Sequence, residues 1–384
     1  MQNRKSLAAL ILIAFVAVIG AVVYQTSEPN VASASRKVIV AANFPLSGEL
    51  AFYGGEFRDG LSMAVADKGA SLPQGTFIEF EWGDNRFSPK DAATVLQRQL
   101  QKSPTIYTSA LKPQVMAVEK EVAAAGIPHL AWVLDLTPNP TGTKNNFRTW
   151  VSFKLETDVF FEYANKRKAK TVVLSYVSLP SSEAAYGKSL ADRLRQELGA
   201  NVVIESYNPD VGAGDYRNIA ARIASHRPDL VMINGFIPHM VGLIKAMRPL
   251  GIIKEGNTMA ALDMLDAAEV LSPEESEGML VAAPPFLIDP SAEQKAWISR
   301  FERQFGRKPS HHAAFAYDAG LTIVDAAKRV NVTASSQEWL SAILQTDIEG
   351  VTGRIRYAND QSLITSLQPA IYRHGVLVPL ALDR

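Results

Sequence analysis

From Lys37 to about Ala283, apolar runs of strand length alternate with amphipathic segments of helix length, a pattern that admits few architectures. It describes repeated βα units around a mostly parallel sheet. Strands are expected at 38–42, 77–82, 105–108, 127–133, 171–176, 201–206, 230–234, 258–262 and 278–282. Helices are expected at 52–67, 89–101, 113–125, 156–166, 184–198, 216–226, 238–250, 293–305 and 313–330, with a short one closing at 340–344. Two further strand segments follow at 353–357 and 369–382, the latter turning at His374 and Gly375. That is more strands than one twisted sheet holds comfortably, in a chain longer than single cores usually grow. The fold class expected is therefore α/β, with two doubly wound, Rossmann-like lobes. No Gly/Ser linker marks their boundary, so crossovers are sought where Pro or Gly interrupts the alternation, at 147–153, 283–286 and 350–353. This places 37–150 plus 286–350 in lobe 1 and 151–285 plus 351–384 in lobe 2.

Composition narrows the function classes. Lys plus Arg equals Asp plus Glu at 39 each, so no global field draws the chain to nucleic acid or to an anionic membrane. The absence of cysteine excludes disulfides, thiolate metal sites, cysteine nucleophiles and lipoprotein acylation. Residues 1–34 read as an export segment: Arg4 and Lys5, an apolar run over 7–24, then Ala32, Ser33 and Ala34 in a small-x-small cleavage pattern. The apolar run is longer than a usual signal core and just long enough to span a bilayer. Cleavage and retention as a single anchor both fit, and membrane contact is expected only through this segment. Either way the folded body lies outside the cytoplasm.

The stretch 38–60, VIVAANFPLSGELAFYGGEFRDG, joins a buried strand to a tight turn and a helix start. Such a junction sits at the carboxyl end of a strand, where open α/β sheets bind ligands. From here the chain resembles a family, the type I periplasmic binding proteins of the Leu/Ile/Val-binding branch. The resemblance runs over roughly 37–380 and follows FPLSGELAFYGGEFRDG, AAAGIPHLAW, FRTW, AYGKSLADRL, GAGDYRNIAARI, PDLVMINGF, EGMLVAAPP, HAAFAYDAG and EGVTGRIRY in order. It implies two α/β lobes joined by three crossovers, a small molecule held in the cleft between them, and closure around it. It further implies a monomer in the periplasm or on the outer face of the cell, handing its ligand to an ABC permease in the inner membrane, with no cofactor. The alternative is a ligand-sensing ectodomain or accessory subunit that signals through a membrane partner.

The same resemblance places residues at the cleft. Tyr53 matches an aromatic that covers the ligand. Tyr186 with Gly187, and Phe236 after Asn234 and Gly235, match aromatic positions of the second lobe. Asp263 follows the next strand, where the family often sets an acid against a ligand ammonium; a helix N-cap or surface acid is the plainer reading. One departure matters: the loop after the fourth strand reads Ala131, Trp132, Val133, Leu134, Asp135, without the hydroxyl that would help hold an α-carboxylate. Trp132 is therefore expected as an apolar or stacking wall. Ser109, with Thr108, either caps the helix opening at Pro113 or joins Lys112 and free helix amides in binding a carboxylate. The ligand expected is small and partly apolar: amino-acid-like, an amide or an aromatic carboxylate.

No enzyme signature stands out. There is no G-x-S-x-G elbow, H-E-x-x-H helix or complete S-x-x-K set, and the Gly187–Lys188–Ser189 run lacks the first glycine of a phosphate loop. His311 and His312, being adjacent on a helix, are expected to point to different sides, a poor spacing for metal ligands. No metal site is expected.

Overall fold

The computed structural model describes residues 36–135, 143–210, 212–331 and 333–380. The expected export segment lies outside the described residues. No described helix is long and apolar enough to cross a membrane.

The strands of the first half are β1 (Arg36–Phe44), β2 (Thr76–Asp84), β3 (Ile106–Ala110), β4 (His129–Trp132) and β5 (Asn146–Arg148). They form one parallel sheet in the order β2-β1-β3-β4-β5. Val40 of β1 pairs with Phe80 on one side and Ile106 on the other, so this apolar run is central in the sheet. The helices of this half are α1 (Ala51–Lys68), α2 (Pro89–Leu100) and α3 (Lys112–Ala124).

The second half contributes α4 (Phe153–Arg167), β6 (Thr171–Tyr176), a π-helical turn over Glu183–Leu190 running into α5 (Ala191–Leu198), and β7 (Asn201–Ile204). Then come α6 (Ala213–Ser225), β8 (Leu230–Asn234), α7 (Ile237–Met247), β9 (Thr258–Ala260) and β10 (Leu280–Ala283). A seven-stranded sheet follows the order β14-β13-β10-β9-β8-β6-β7, parallel from β6 to β10. β13 (Gln368–Arg373) and β14 (Val376–Pro379) close it as an antiparallel hairpin turning at His374 and Gly375.

The chain returns to the first sheet through α8 (Ala292–Phe305), α9 (His311–Arg329) and α10 (Ser336–Leu344). α9 packs on α1 at close range, because small residues let the two backbones approach. A Cβ on Gly60 would lie 2.3 Å from the Ala313 carbonyl oxygen, and one on Gly320 would lie 2.5 Å from Ala64 Cβ. Each sheet has its own core: Phe44, Phe57, Phe147, Trp297 and Phe315 belong to the first, Phe160, Tyr176, Tyr186 and Leu243 to the second.

Two expectations need correction. Residues 147–153, read as a crossover, begin inside β5, and only 149–152 run on from it to α4. Residues 350–353 are not a crossover: Gly350 and Gly353 turn a hairpin between β11 (Asp347–Glu349) and β12 (Arg354–Arg356), with Gly353 at φ 121°. The chain then stays on the first sheet. Val351, Ile355, Tyr357 and Leu363 join its core, and Ser362 bridges to Arg148 at the β5 edge. Residues 351–367 therefore pack with the first sheet rather than with the second, because their apolar side chains find Phe147 and its neighbours there.

Candidate functional site

In both sheets the strand order reverses once, between β1 and β3 and between β6 and β8. Loops leaving the two sides of such a point diverge and open a crevice at the carboxyl ends of the strands. The two crevices face each other across a cavity of about 430 Å³. The first sheet lines it with residues that end or follow β1 (Tyr53, Phe57), β3 (Leu111, Lys112, Met116) and β4 (Trp132, Leu134). The second lines it with residues that follow β6 (Val177, Leu179, Ser181, Ser182), β8 (Gly235, Phe236) and β9 (Asp263).

Tyr53, Lys112, Trp132, Phe236 and Asp263 all reach the cavity, as their strand-end positions suggest. Tyr53 ties the lobes together. Its hydroxyl donates to Asp263 Oδ2 at 3.1 Å and accepts the Ile237 amide at 3.3 Å, and its ring meets Phe236 edge-on. Burial, then the Asp263 carboxylate, hold this phenol well above its ordinary pKa. Trp132 packs against Phe44 and Phe57 and presents an apolar wall. Lys112 forms an ion pair with Asp135. Asp263 also lies 3.6 Å from His312 Nε2, so its carboxylate is answered by two groups of the opposite lobe before any solute arrives.

Ser109 and Tyr186 do not reach the cavity. β3 runs two residues past its expected end, so Ser109 is still inside the sheet, fully buried, with Oγ 2.8 Å from His129 Nε2. Thr108 is likewise occupied, donating to the Leu130 carbonyl at 2.9 Å, and neither residue caps α3, whose N-cap is Leu111. Tyr186 sits in the π-helical turn, fully buried; its hydroxyl donates to Glu156 and accepts from Asn234 Nδ2 at 3.3 Å. Glu156 in turn accepts the Leu262 amide, and burial pushes it up to about 7. This network braces the wall from behind.

Phe57, Phe87, Trp150 and Phe153, not singled out from sequence, also line the cavity, as does His312, which the sequence suggested only as a poorly spaced metal ligand. Trp150 ends the FRTW motif, and its ring lies parallel to His312 at 4.8 Å. The signal was present in two motifs far apart in the chain, and only folding stacks them. His311 and His312 do not diverge as expected. Their ring centroids are 4.0 Å apart, with His311 Nδ1 3.1 Å and His312 Nε2 3.3 Å from Asp266 Oδ2. The geometry works because the two residues begin α9 and one uses its near ring nitrogen, the other its far one. Burial opposes charge on His312, but the Asp263 and Asp266 carboxylates outweigh it and raise the imidazole to about 9; His311 is lowered by burial and by His312.

Two opposed α/β sheets enclosing an aromatic cavity at their strand ends define a bilobal ligand-binding protein. The chain belongs to the periplasmic binding protein family, whose model matches residues 37–370. It is 23% identical over 301 residues to the Leu/Ile/Val-binding protein homolog 2 of Brucella abortus (strain 2308), covering 76% of this chain and 78% of that one. Among solved structures it is similar to the branched-chain amino acid transporter substrate binding protein of Streptococcus pneumoniae in complex with isoleucine. That match has a TM-score of 0.76 and 21% identity over 89% of this chain and 98% of that one. It is also similar to a solute binding protein of an ABC transporter from Rhodopseudomonas palustris BisB5 in complex with 3,4-dihydroxy benzoic acid. There the TM-score is 0.79, with 17% identity over 90% of this chain and 96% of that one. At these identities the structural likenesses establish the fold.

Proposed function

We propose that this protein is an extracytoplasmic solute-binding protein that captures an aromatic or otherwise apolar carboxylate between its lobes and delivers it to an ABC importer. The observation that carries this reading is the cavity itself, walled by Tyr53, Phe57, Trp132, Trp150, Phe153 and Phe236. An aromatic body burying on the order of 200 Å² of apolar surface gains ~5 kcal/mol at about 25 cal/mol per Å². The charge pattern favours an anionic head without an amine. Asp263 already faces Tyr53 and His312, whereas Lys112 spends one of its three ammonium donors on Asp135. Family membership supports the extracytoplasmic setting, and the neighbours bound to isoleucine and to 3,4-dihydroxy benzoic acid bracket the solute classes. A solute touching both lobes favours the closed arrangement by its differential affinity for it.

Calorimetry and thermal shift with benzoate-type acids, branched-chain amino acids and the matching amides test this. Micromolar binding of an aromatic carboxylate, with weaker binding of isoleucine, is expected. Binding of amino acids alone would overturn the solute class, and no response to any of the three would overturn the capture role.

A further inference from the structure

We propose that Asp263, Asp266, His311 and His312 form a binding site for a divalent transition-metal ion of the zinc type, built across the two lobes at the wall of the cleft. The site goes beyond solute capture and does not depend on it. One ligand atom from each of the four residues lies within 4.8 Å of all the others. The separations, 3.1 Å and 3.3 Å from Asp266 Oδ2 to the two imidazoles and 3.6 Å from Asp263 Oδ1 to His312 Nε2, bracket the edge of a zinc tetrahedron. That edge is ~3.3 Å for bonds of about 2.0–2.1 Å.

These contacts are close ion pairs whose atoms are poorly aligned for hydrogen bonding. Asp266 Oδ2, His311 Nδ1 and His312 Nε2 are buried and lack a hydrogen-bond partner among the described residues, although they lie within ion-pair range of one another. Buried polar atoms are rarely left so, and one coordinated ion among these clustered atoms would satisfy all three at once. The set is also enclosed, with side-chain exposures of 0% for His311, 5% for His312, 8% for Asp266 and 13% for Asp263. Two carboxylates match the charge of a divalent ion. Imidazole donors favour zinc, copper, nickel or iron over calcium and magnesium, which need more oxygen ligands. Asp263 is the N-cap of the short helix Met264–Ala267 and Asp266 lies within it, three positions on, so the two share one face.

His311 Nε2 and His312 Nδ1 are also without a hydrogen-bond partner among the described residues. Outer partners of ligating histidines are worth about 10–100-fold in affinity, which sets the expectation at micromolar rather than at the far tighter range of structural zinc sites. Because the histidines open α9 and the aspartates follow β9, a bound ion holds the lobes together at one side of the cleft.

The test uses the full chain freed of any affinity tag and stripped with EDTA. Calorimetry with Zn²⁺ is expected to give one ion per chain, and Co²⁺ to give the intense visible bands of a tetrahedral site. His311→Ala and Asp266→Asn, neither of which lines the cavity, are expected to weaken Zn²⁺ binding at least tenfold while melting cooperatively in EDTA. No stoichiometric Zn²⁺ binding by the wild type, or unchanged binding by both folded variants, overturns the proposal. Should the variants not fold, weak octahedral Co²⁺ absorption in the wild type overturns it alone. Solute titration in EDTA keeps the two readings separate, since solute capture persists there if only the metal site is wrong.

Discussion

Lys112 and Asp263 bring opposite charges to one cavity, and their protein partners decide what each offers a solute. Asp263 is held by the Tyr53 hydroxyl and faces His312, while the Lys112 ammonium keeps donors beyond its pair with Asp135. Lys112→Met keeps an unbranched stem as far as Cε and removes the ammonium. A charge-assisted hydrogen bond is worth about 1.5–3 kcal/mol when buried, and Lys112 is partly exposed, so the low end applies. Affinity for an aromatic carboxylate is expected to fall about tenfold, with that for the corresponding amide unchanged, as measured by calorimetry. The residue types were legible in the sequence; their partners were not. Asp135 is 23 positions from Lys112, and Tyr53 is 210 positions from Asp263, so no local pattern pairs them.

At the scale of elements, the hairpin β11–β12 is fastened to α9 by one side chain. Asp318, buried at 2% exposure, accepts the Val351 amide at 2.7 Å and, on its other oxygen, the Thr352 amide at 2.8 Å and hydroxyl at 2.6 Å. A Cβ on Gly350 would lie 2.5 Å from this carboxylate, which explains the glycine that the sequence reading took for a crossover. Burial outweighs the three hydrogen bonds and pushes Asp318 up to about 7. The folded state therefore holds this proton above the ordinary carboxylate range, and the stability it supports is full below about 4 and lost as pH rises through about 7. Urea unfolding at pH 5 and pH 8 is expected to show a smaller pH-dependent loss in Asp318→Asn than in wild type. An equal loss would place the slope elsewhere. Long βα periods were readable because each element buries an apolar face; three-residue strands such as β5 and β11 are too short to carry a period.

For the whole molecule, a few contacts cross the cleft and join the two lobes. The Tyr53 hydroxyl is one of them, linking α1 to Asp263 and to the first residue of α7. Tyr53→Phe keeps the ring against Phe236 and removes both hydrogen bonds. Losing a net ~1 kcal/mol of closed-state stabilisation corresponds to about fivefold weaker solute binding through the population of the competent state. Small-angle scattering is expected to show a more expanded solute-free ensemble that compacts again on saturation. An unchanged profile together with unchanged affinity would remove Tyr53 from the closure mechanism.

By itself the sequence determined the α/β alternation, the two-lobed count of strands, the strand-end location of Tyr53, Trp132, Phe236 and Asp263, and the resemblance that family membership bears out. These follow from local rules: apolar period, turn chemistry and the position of loops at the ends of strands. Only the tertiary structure decided that Ser109 and Tyr186 stay inside their lobes, that 351–367 packs on the first sheet, and that two adjacent histidines converge on aspartates from the other lobe. Register, hydrogen-bond pairing and the meeting of distant segments depend on where the chain returns in space. A sequence encodes that return only through the sum of its packing, which no single motif displays.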